Sequence, residues 1–292
     1  MIVHKSLFFG LVIFSTLLIT ALYHTSAQEP QALSRQAQAQ SSDEVVWEQY
    51  LEWARSAPQF DCPRSLFLAY QAHLKSTGTS PQEIKRESAI INRLMDERSD
   101  GYRVIFNNVY GTSTPEFVTQ PNALLVSTVE GRKPGRALDI GMGQGRNSVF
   151  LALKGWDVTG FDVSDKGLEV ARKSAERAGV KLNAVLETAD AFNYGSDRWD
   201  LIAFLYNPLP VTSTAYVERL RTSLKPGGLI VIETHANDPR LPVKLPTAIE
   251  PAQLLAVFKD FRLLLFQDTT GKPDWMADET DRIVRMVVEK RP

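Results

Sequence analysis

Three glycines alternate over five positions, Gly141, Gly143 and Gly145, with Asp139 ahead of them and Asp162 following 21 residues after Gly141. Glycine in this pattern lets the backbone turn with positive φ and lie against a ligand with no Cβ between them. A helix starting after such a turn presents unpaired N–H groups to polar or anionic atoms. A carboxylate closing the next strand can accept hydrogen bonds from two ribose hydroxyls. Together these residues describe a cradle for a nucleotide-type ligand. A dinucleotide fingerprint requires a glycine at the sixth position, where this chain has Arg146, and a bulky cation there argues against the pyrophosphate geometry. Asp162 suits either kind of ligand.

Strands and a helix must position these residues. A short apolar run, Ala137 to Ile140, leads into the glycine turn, and Val149, Phe150 and Leu153 then follow helical spacing until Gly155. Val158 to Phe161 forms a second strand ending at Asp162. Strand, glycine loop, helix and strand follow one another within 136–164.

The G-x-G-x-G pattern after an acidic strand end resembles the first motif of the class I S-adenosylmethionine (SAM) methyltransferases. Leu138-Asp-Ile-Gly-Met-Gly-Gln-Gly-Arg-Asn-Ser148, with Leu151-Ala and Gly155-Trp-Asp-Val-Thr-Gly-Phe-Asp162, is similar to the branch that contains the tellurite-resistance and related small-molecule methyltransferases. That branch usually has cysteine where this chain has Met142, another apolar, polarisable side chain. The resemblance covers about Pro121 to Lys290. It implies a Rossmann-like α/β fold with a seven-stranded class I methyltransferase sheet, SAM as cofactor, and a small-molecule methyl acceptor such as a thiol or chalcogen compound. It also implies cofactor contacts from Asp139, Gly141, Gly143, Gly145, Arg146, Asp162 and Val163. An acidic residue at the third strand end meets the adenine amino group in this family, which assigns that contact to Asp190 with Ala191 in Thr188-Ala-Asp-Ala191.

The remaining pattern agrees with that sheet. Leu168, Ala171, Ala175 and Ala178 mark a helix closed by Gly179, and Leu182 to Leu186 a third strand. Trp199 to Tyr206 is a continuous apolar run, as a parallel strand buried on both faces should be. A helix over 213–223 precedes Leu224-Lys-Pro-Gly-Gly228, a second mark of the family, which feeds a strand from Leu229 to Glu233. Glu250 to Phe258 reads as a helix. Phe261 to Gln267 and Arg282 to Glu289 read as an antiparallel pair, joined by a polar loop from Asp268 to Asp281 that contains Trp275. Ligands in open α/β sheets gather at the carboxyl ends of strands, so Tyr206 faces the transferred methyl group or its acceptor. Asn207-Pro-Leu-Pro210 lacks the aromatic residue of the [DN]-P-P-[YF] motif of amino-group methyltransferases. His235, just after the fifth strand with Glu233 beside it, is the candidate general base.

Upstream, 43–133 reads as a helical N-terminal extension and lid ahead of the methyltransferase domain at 134–292. Val46, Trp47, Tyr50, Leu51, Trp53 and Ala54 follow the spacing of a buried helical face, and Ser42-Asp43 can cap its start. Further helices follow Pro63 and Pro81, the second running to about Arg98. Phe106-Asn-Asn-Val-Tyr-Gly111 falls in a turn-rich connection before a helix at Glu116 to Thr128. It resembles the aromatic-Asp-x-x-Tyr stretch that folds over the cofactor mouth in related small methyltransferases, which makes Tyr110 and Asn108 lid candidates.

Composition bounds the rest. With 33 basic and 34 acidic residues the net charge is −1, so no global field draws the chain to nucleic acid. The single cysteine, Cys62, permits no intrachain disulfide, and the four histidines share no ligand spacing, so no metal site is expected. Lys5 precedes an apolar run from Leu7 to Tyr23, and Thr25-Ser26-Ala27 supplies small residues for cleavage. Residues 1–27 therefore read as a signal peptide or N-terminal membrane anchor, and 28–42, rich in Gln, Ala and Ser, as a flexible linker. Export or outward-facing anchoring follows, with a cytoplasmic-facing placement as the alternative, since SAM is made in the cytoplasm. Two other functional classes fit the cradle: an exported, non-catalytic SAM or nucleoside binder, and a nucleotide-dependent oxidoreductase, which Arg146 disfavours.

Overall fold

A computed structural model describes residues 42–60, 63–98, 100–111, 119–238, 248–275 and 280–292. The signal or anchor expected at 1–27, the linker up to residue 41 and Cys62 lie outside the described residues. Among the described residues no helix is long and apolar enough to cross a membrane. The chain divides into two compact units, 1–49 and 50–292. In the first, 42–49 are helical, with Val46 and Trp47 buried.

The second unit begins with α1, helical over 50–56, followed by α2 (Pro63–Ser76) and α3 (Pro81–Glu97). Ser80 caps α3 by accepting from the Glu83 amide, and Pro81 stands at the first helical position, where it loses no hydrogen bond. An aromatic group of Tyr50, Trp53, Phe67, Tyr70 and His73 joins α1 to α2.

α4 (Asp100–Tyr110) corrects the expected turn-rich connection at Phe106–Gly111, which is helical to Tyr110. Tyr102, Phe106 and Tyr110 stand four residues apart and stack in sequence, and the asparagines that suggested a turn are used in tertiary bonds. Asn108 donates to the carbonyls of Ala54, Ala57 and Pro58 and accepts from the Phe60 amide, fastening α4 to the end of α1. Asn107 bridges to Asp165 and Ser164, described below. The helix expected at Glu116–Thr128 is shorter where it is described: α5 is Ala123–Val129, with Asn122 as its cap.

The sheet has seven strands: β1 (Arg136–Ile140), β2 (Asp157–Asp162), β3 (Asn183–Leu186), β4 (Trp199–Leu205), β5 (Leu224–His235), β6 (Arg262–Gly271) and β7 (Asp281–Glu289). Their order is β3-β2-β1-β4-β5-β7-β6. All neighbours through β5 are parallel, and β7 runs antiparallel to both β5 and β6. Helices α6 (Arg146–Leu153), α7 (Asp165–Ala178), α8 (Thr214–Ser223) and α9 (Pro251–Val257) complete the domain. β1 and β4 pair at the point where the strand order reverses, and the crevice at their carboxyl ends is where such sheets bind ligands.

β4 is apolar throughout apart from Asp200 and is buried over most of its length, as a central strand must be. Leu138, Ile202, Phe204, Ile230 and Met286 fill one face of the sheet; Ala137, Leu201, Ala203, Val231 and Val287 fill the other. Trp199 pairs with Leu224 and Leu201 with Leu229, so Lys225 to Gly228 forms an excursion at the start of β5. β6 extends four residues into the expected loop, where Asp268 pairs with Val284 and Gly271 with Asp281. An edge strand largely exposed to water can be polar without being a loop, and Thr269 and Thr270 are β-branched.

Candidate active site

The cradle is built at the ends of β1 and β2. Gly141, Gly143 and Gly145 all have positive φ, at 64°, 50° and 79°, and Gly145 immediately precedes α6. At Gly143 an added Cβ would run into the Tyr110 phenol, so the glycine here makes room as well as a turn. Met142 turns beneath the loop, packing with Leu168 and Ala171 and against Gly160, where no Cβ intervenes. The residue that departs from the family pattern thus faces the core.

Asp162 Oδ2 accepts from the Gly143 amide at 2.9 Å and Oδ1 from the Ser164 amide at 2.8 Å, with the Val163 amide adding to the set. Burial raises its pKa, and these amides act in the opposite direction. Each oxygen retains acceptor capacity for a ribose hydroxyl. Asp139, buried in mid-sheet, accepts from Ser148 Oγ at 2.6 Å, which ties β1 to the first turn of α6. Burial pushes its pKa up to about 6, against the pull of the Ser148 hydrogen bond. The bare loop backbone, the first turn of α6 and two buried carboxylates fit a nucleoside ligand bearing a positive charge.

α4 covers this cradle. Asn107 Nδ2 donates to Asp165 Oδ1 at 2.8 Å, and Ser164 Oγ donates to Asn107 Oδ1 at 2.7 Å. These bonds set Tyr110 over Gly143, with its ring also against Gly167. Burial raises the Tyr110 phenol pKa, and the nearby Asp162 carboxylate adds to that, so it stays protonated. Asn108, the other lid candidate, faces α1 instead. Asp190 and Ala191 are exposed just beyond β3, and the Asp190 carboxylate stands 3.6 Å from Arg219.

Arg146, at the start of α6, is held by groups outside the glycine loop. Its Nη2 donates to Asp274 Oδ1 at 2.8 Å and its Nη1 to the Gln120 carbonyl at 2.7 Å. Asp274 Oδ2 accepts from the Ala123 amide at the start of α5. The motif arginine therefore secures the loop after β6, and with it Trp275.

A second cluster lies across the ends of β4 and β5. Tyr206 has φ 53°, a left-handed conformation rare for a bulky residue, with its amide held by the Glu233 carbonyl. Its hydroxyl donates to Glu233 Oε1 at 2.8 Å. Burial raises the phenol pKa, and the Glu233 charge raises it further. Glu233 is 1% exposed and also takes Asn122 Nδ2 at 2.9 Å and Arg285 Nε. The His235 ring meets Tyr206 and Trp275 with centroids at 5.1 and 5.9 Å. Its Nδ1 lies 3.1 Å from Asp281 Oδ2, and its Nε2 accepts from the Trp275 indole N–H at 3.3 Å. Desolvation lowers the His235 pKa and Asp281 works against it.

Tyr206 and His235 are thus brought together, and Tyr110 stands over the glycine loop. No local spacing in the sequence brings Asn122, Trp275, Asp281 and Arg285 to this cluster. Glu233 and Arg285, charges of opposite sign in two apolar strands, were the available signal.

Fold, switch-point cradle and motif are together similar to those of class I SAM-dependent methyltransferase domains. Residues 137–228 match the family model described as "Methyltransferase domain". The probable S-adenosyl-L-methionine-dependent methyltransferase TehB of Haemophilus influenzae is 26% identical over 155 residues, covering 51% of this chain and 54% of the relative. A ubiquinone biosynthesis O-methyltransferase of Cereibacter sphaeroides is 35% identical over 106 residues, covering 36% and 43%. The chain spans about half the length of the curated relatives it matches. The crystal structure of TehB from Haemophilus influenzae superposes with a TM-score of 0.50 at 20% identity, covering 65% of this chain and 67% of that one. A structure solved for the conversion of a disulfide bond into a thioacetal group during echinomycin biosynthesis gives 0.51 at 20%, covering 65% and 90%. These two superpositions concern the fold.

Proposed function

We propose that this protein is a SAM-dependent methyltransferase acting on a small-molecule acceptor, with thiols and chalcogen compounds the finer reading that the resemblance suggests. The observation that carries it is the glycine loop with Asp162 bonded to the Gly143 amide, opening beside a separate buried polar cluster at the ends of β4 and β5. Gly141, Gly143 and Gly145 offer backbone, Asp162 with Val163 takes the ribose, and Asp139 supplies negative charge beneath a cationic ligand. Asp190 and Ala191 take the adenine, and Arg146 serves through Asp274. When bound, SAM supplies an electrophilic methyl carbon on a sulfonium, so the protein's task is alignment and exclusion of water. Tyr110, on α4, closes over the cofactor; Tyr206 and His235 face the acceptor.

Calorimetry with SAM, S-adenosylhomocysteine, NAD and NADP, followed by an acceptor screen with labelled SAM, tests this reading. Binding of SAM with transfer to no acceptor would leave a non-catalytic binder, and preference for NAD would sink the methyltransferase. Residues 1–27 are proposed to export the protein or anchor it facing outward. Protease treatment of intact cells tests that placement: a chain that becomes sensitive only on lysis places it on the cytoplasmic side.

A further inference from the structure

The cluster around His235 narrows the acceptor. Trp275 offers only a hydrogen-bond donor, so its bond to His235 Nε2 requires a lone pair on that nitrogen and places the proton on Nδ1, which lies 3.1 Å from Asp281 Oδ2 but is not aligned with it as a hydrogen bond. A carboxylate close enough to one ring nitrogen for its charge to favour the imidazolium, with an acceptor lone pair on the other, is an arrangement suited to receive a proton. His235 is 3% exposed, so whatever replaces the indole on Nε2 must itself donate, or leave a buried acceptor unsatisfied. The cluster stands beside the cradle, because Asp274, adjacent to Trp275, is the partner of Arg146 at the start of α6.

We infer that His235 and Asp281 form a proton-accepting pair whose Nε2 is held by the Trp275 indole until an acceptor takes its place, so that the methyl acceptor is a protic compound presenting an O–H or S–H. This rests on the methyl-transfer reading and deepens it. The acceptor's proton passes to Nε2 while its lone pair forms the new bond to the methyl carbon. The electron pair of the broken carbon–sulfur bond stays on sulfur, and the imidazolium later releases its proton to water. Asp281 is a positioning residue. The charged and titratable groups around the ring are Asp281 and Arg285 from β7, Glu233 from β5, Tyr206 after β4 and Asp274 beside Trp275. A site that hydrogen-bonds its substrate in this way can reject a proton-free analogue by about 10⁴-fold.

The test uses the full chain with labelled SAM and three probes: catechol, 2-mercaptoethanol and dimethyl selenide, which has no proton to give. Transfer to the first two and not to the third is expected. His235→Gln should lower transfer to catechol at least about 100-fold at pH 7, with the loss shrinking toward pH 9 as catechol ionises unaided. Trp275→Phe keeps a ring but removes the competing N–H, so calorimetry in the presence of S-adenosylhomocysteine should show catechol binding several-fold tighter. Equal loss at every pH, no tightening in Trp275→Phe, or ready methylation of dimethyl selenide would overturn the inference. Failure of the wild-type chain to bind SAM would instead remove the methyl-transfer reading on which it rests.

Discussion

The two halves of the candidate site are made in different ways. The cradle between β1 and β2 is mostly backbone: three glycines with positive φ and amides gathered on Asp162, all within 139–164. The cluster between β4 and β5 is mostly side chains, gathered from Asn122, Tyr206, Glu233, His235, Trp275, Asp281 and Arg285. Binding a cofactor shared across many enzymes can be encoded in one local stretch, because the ligand's demands do not change. Recognising an acceptor calls for side chains, and the sheet can collect these from anywhere in the chain.

The largest expected effect strikes the cradle. Gly143→Val imposes a branched residue at positive φ and drives a side chain into the space shared with Tyr110. It should cost about 4 kcal/mol, read as a roughly 1000-fold loss of SAM affinity in calorimetry. Asp162→Ala should weaken SAM less, through the ribose. Near wild-type affinity in both folded variants would refute the cradle. Across the sheet, Glu233→Gln sets an amide N–H₂ against Arg285 and leaves the guanidinium uncompensated, at a cost of about 3 kcal/mol in urea unfolding. SAM affinity should hold within about twofold; if it falls with stability, the two halves are not separate.

Asp139 sharpens the contrast through pH. Its carboxyl sits at about 6 in the fold against an ordinary 3.8, so the folded chain binds more protons than the unfolded one between those values. Stability therefore falls as pH rises through that window, by at most about 3 kcal/mol, and the cost is fully present above it. Asp139→Asn should lack this slope and be the more stable protein at pH 7. Parallel urea titrations of the two chains at pH 4 and 7 would show whether they diverge. The smallest effect is at the cover: Tyr110→Ala should slow turnover about tenfold beyond any change in SAM affinity, about 1.4 kcal/mol, because the ring matters most in the closed complex. Unchanged turnover would return α4 to a docking role.

The same division governs what the sequence discloses. Alternating glycines, an acidic strand end and apolar runs are local signals, so the cradle, all seven strands and most helices could be read directly. Arg146 stands in the motif, but its partner Asp274 lies 128 residues away and no spacing announces it. Paired asparagines at Asn107 and Asn108 look like a turn until their partners in α7 and α1 are known. The polar end of β6 imitates a loop because its residues lie on an exposed edge. Glu233 and Arg285 each interrupt an apolar strand, and reading both as one pair required the β5–β7 register.

That register also has a consequence for the order of synthesis. β6 precedes β7 in the chain but lies outside it in the sheet, so β6 has no place to pair until β7 has been made. Until then β5 presents an open edge, and Glu233 waits without the guanidinium of Arg285. A nascent chain halted before Asp281 would carry a cradle with its local bonds in reach beside an unfinished sheet, a form suited to capture by a chaperone or a protease.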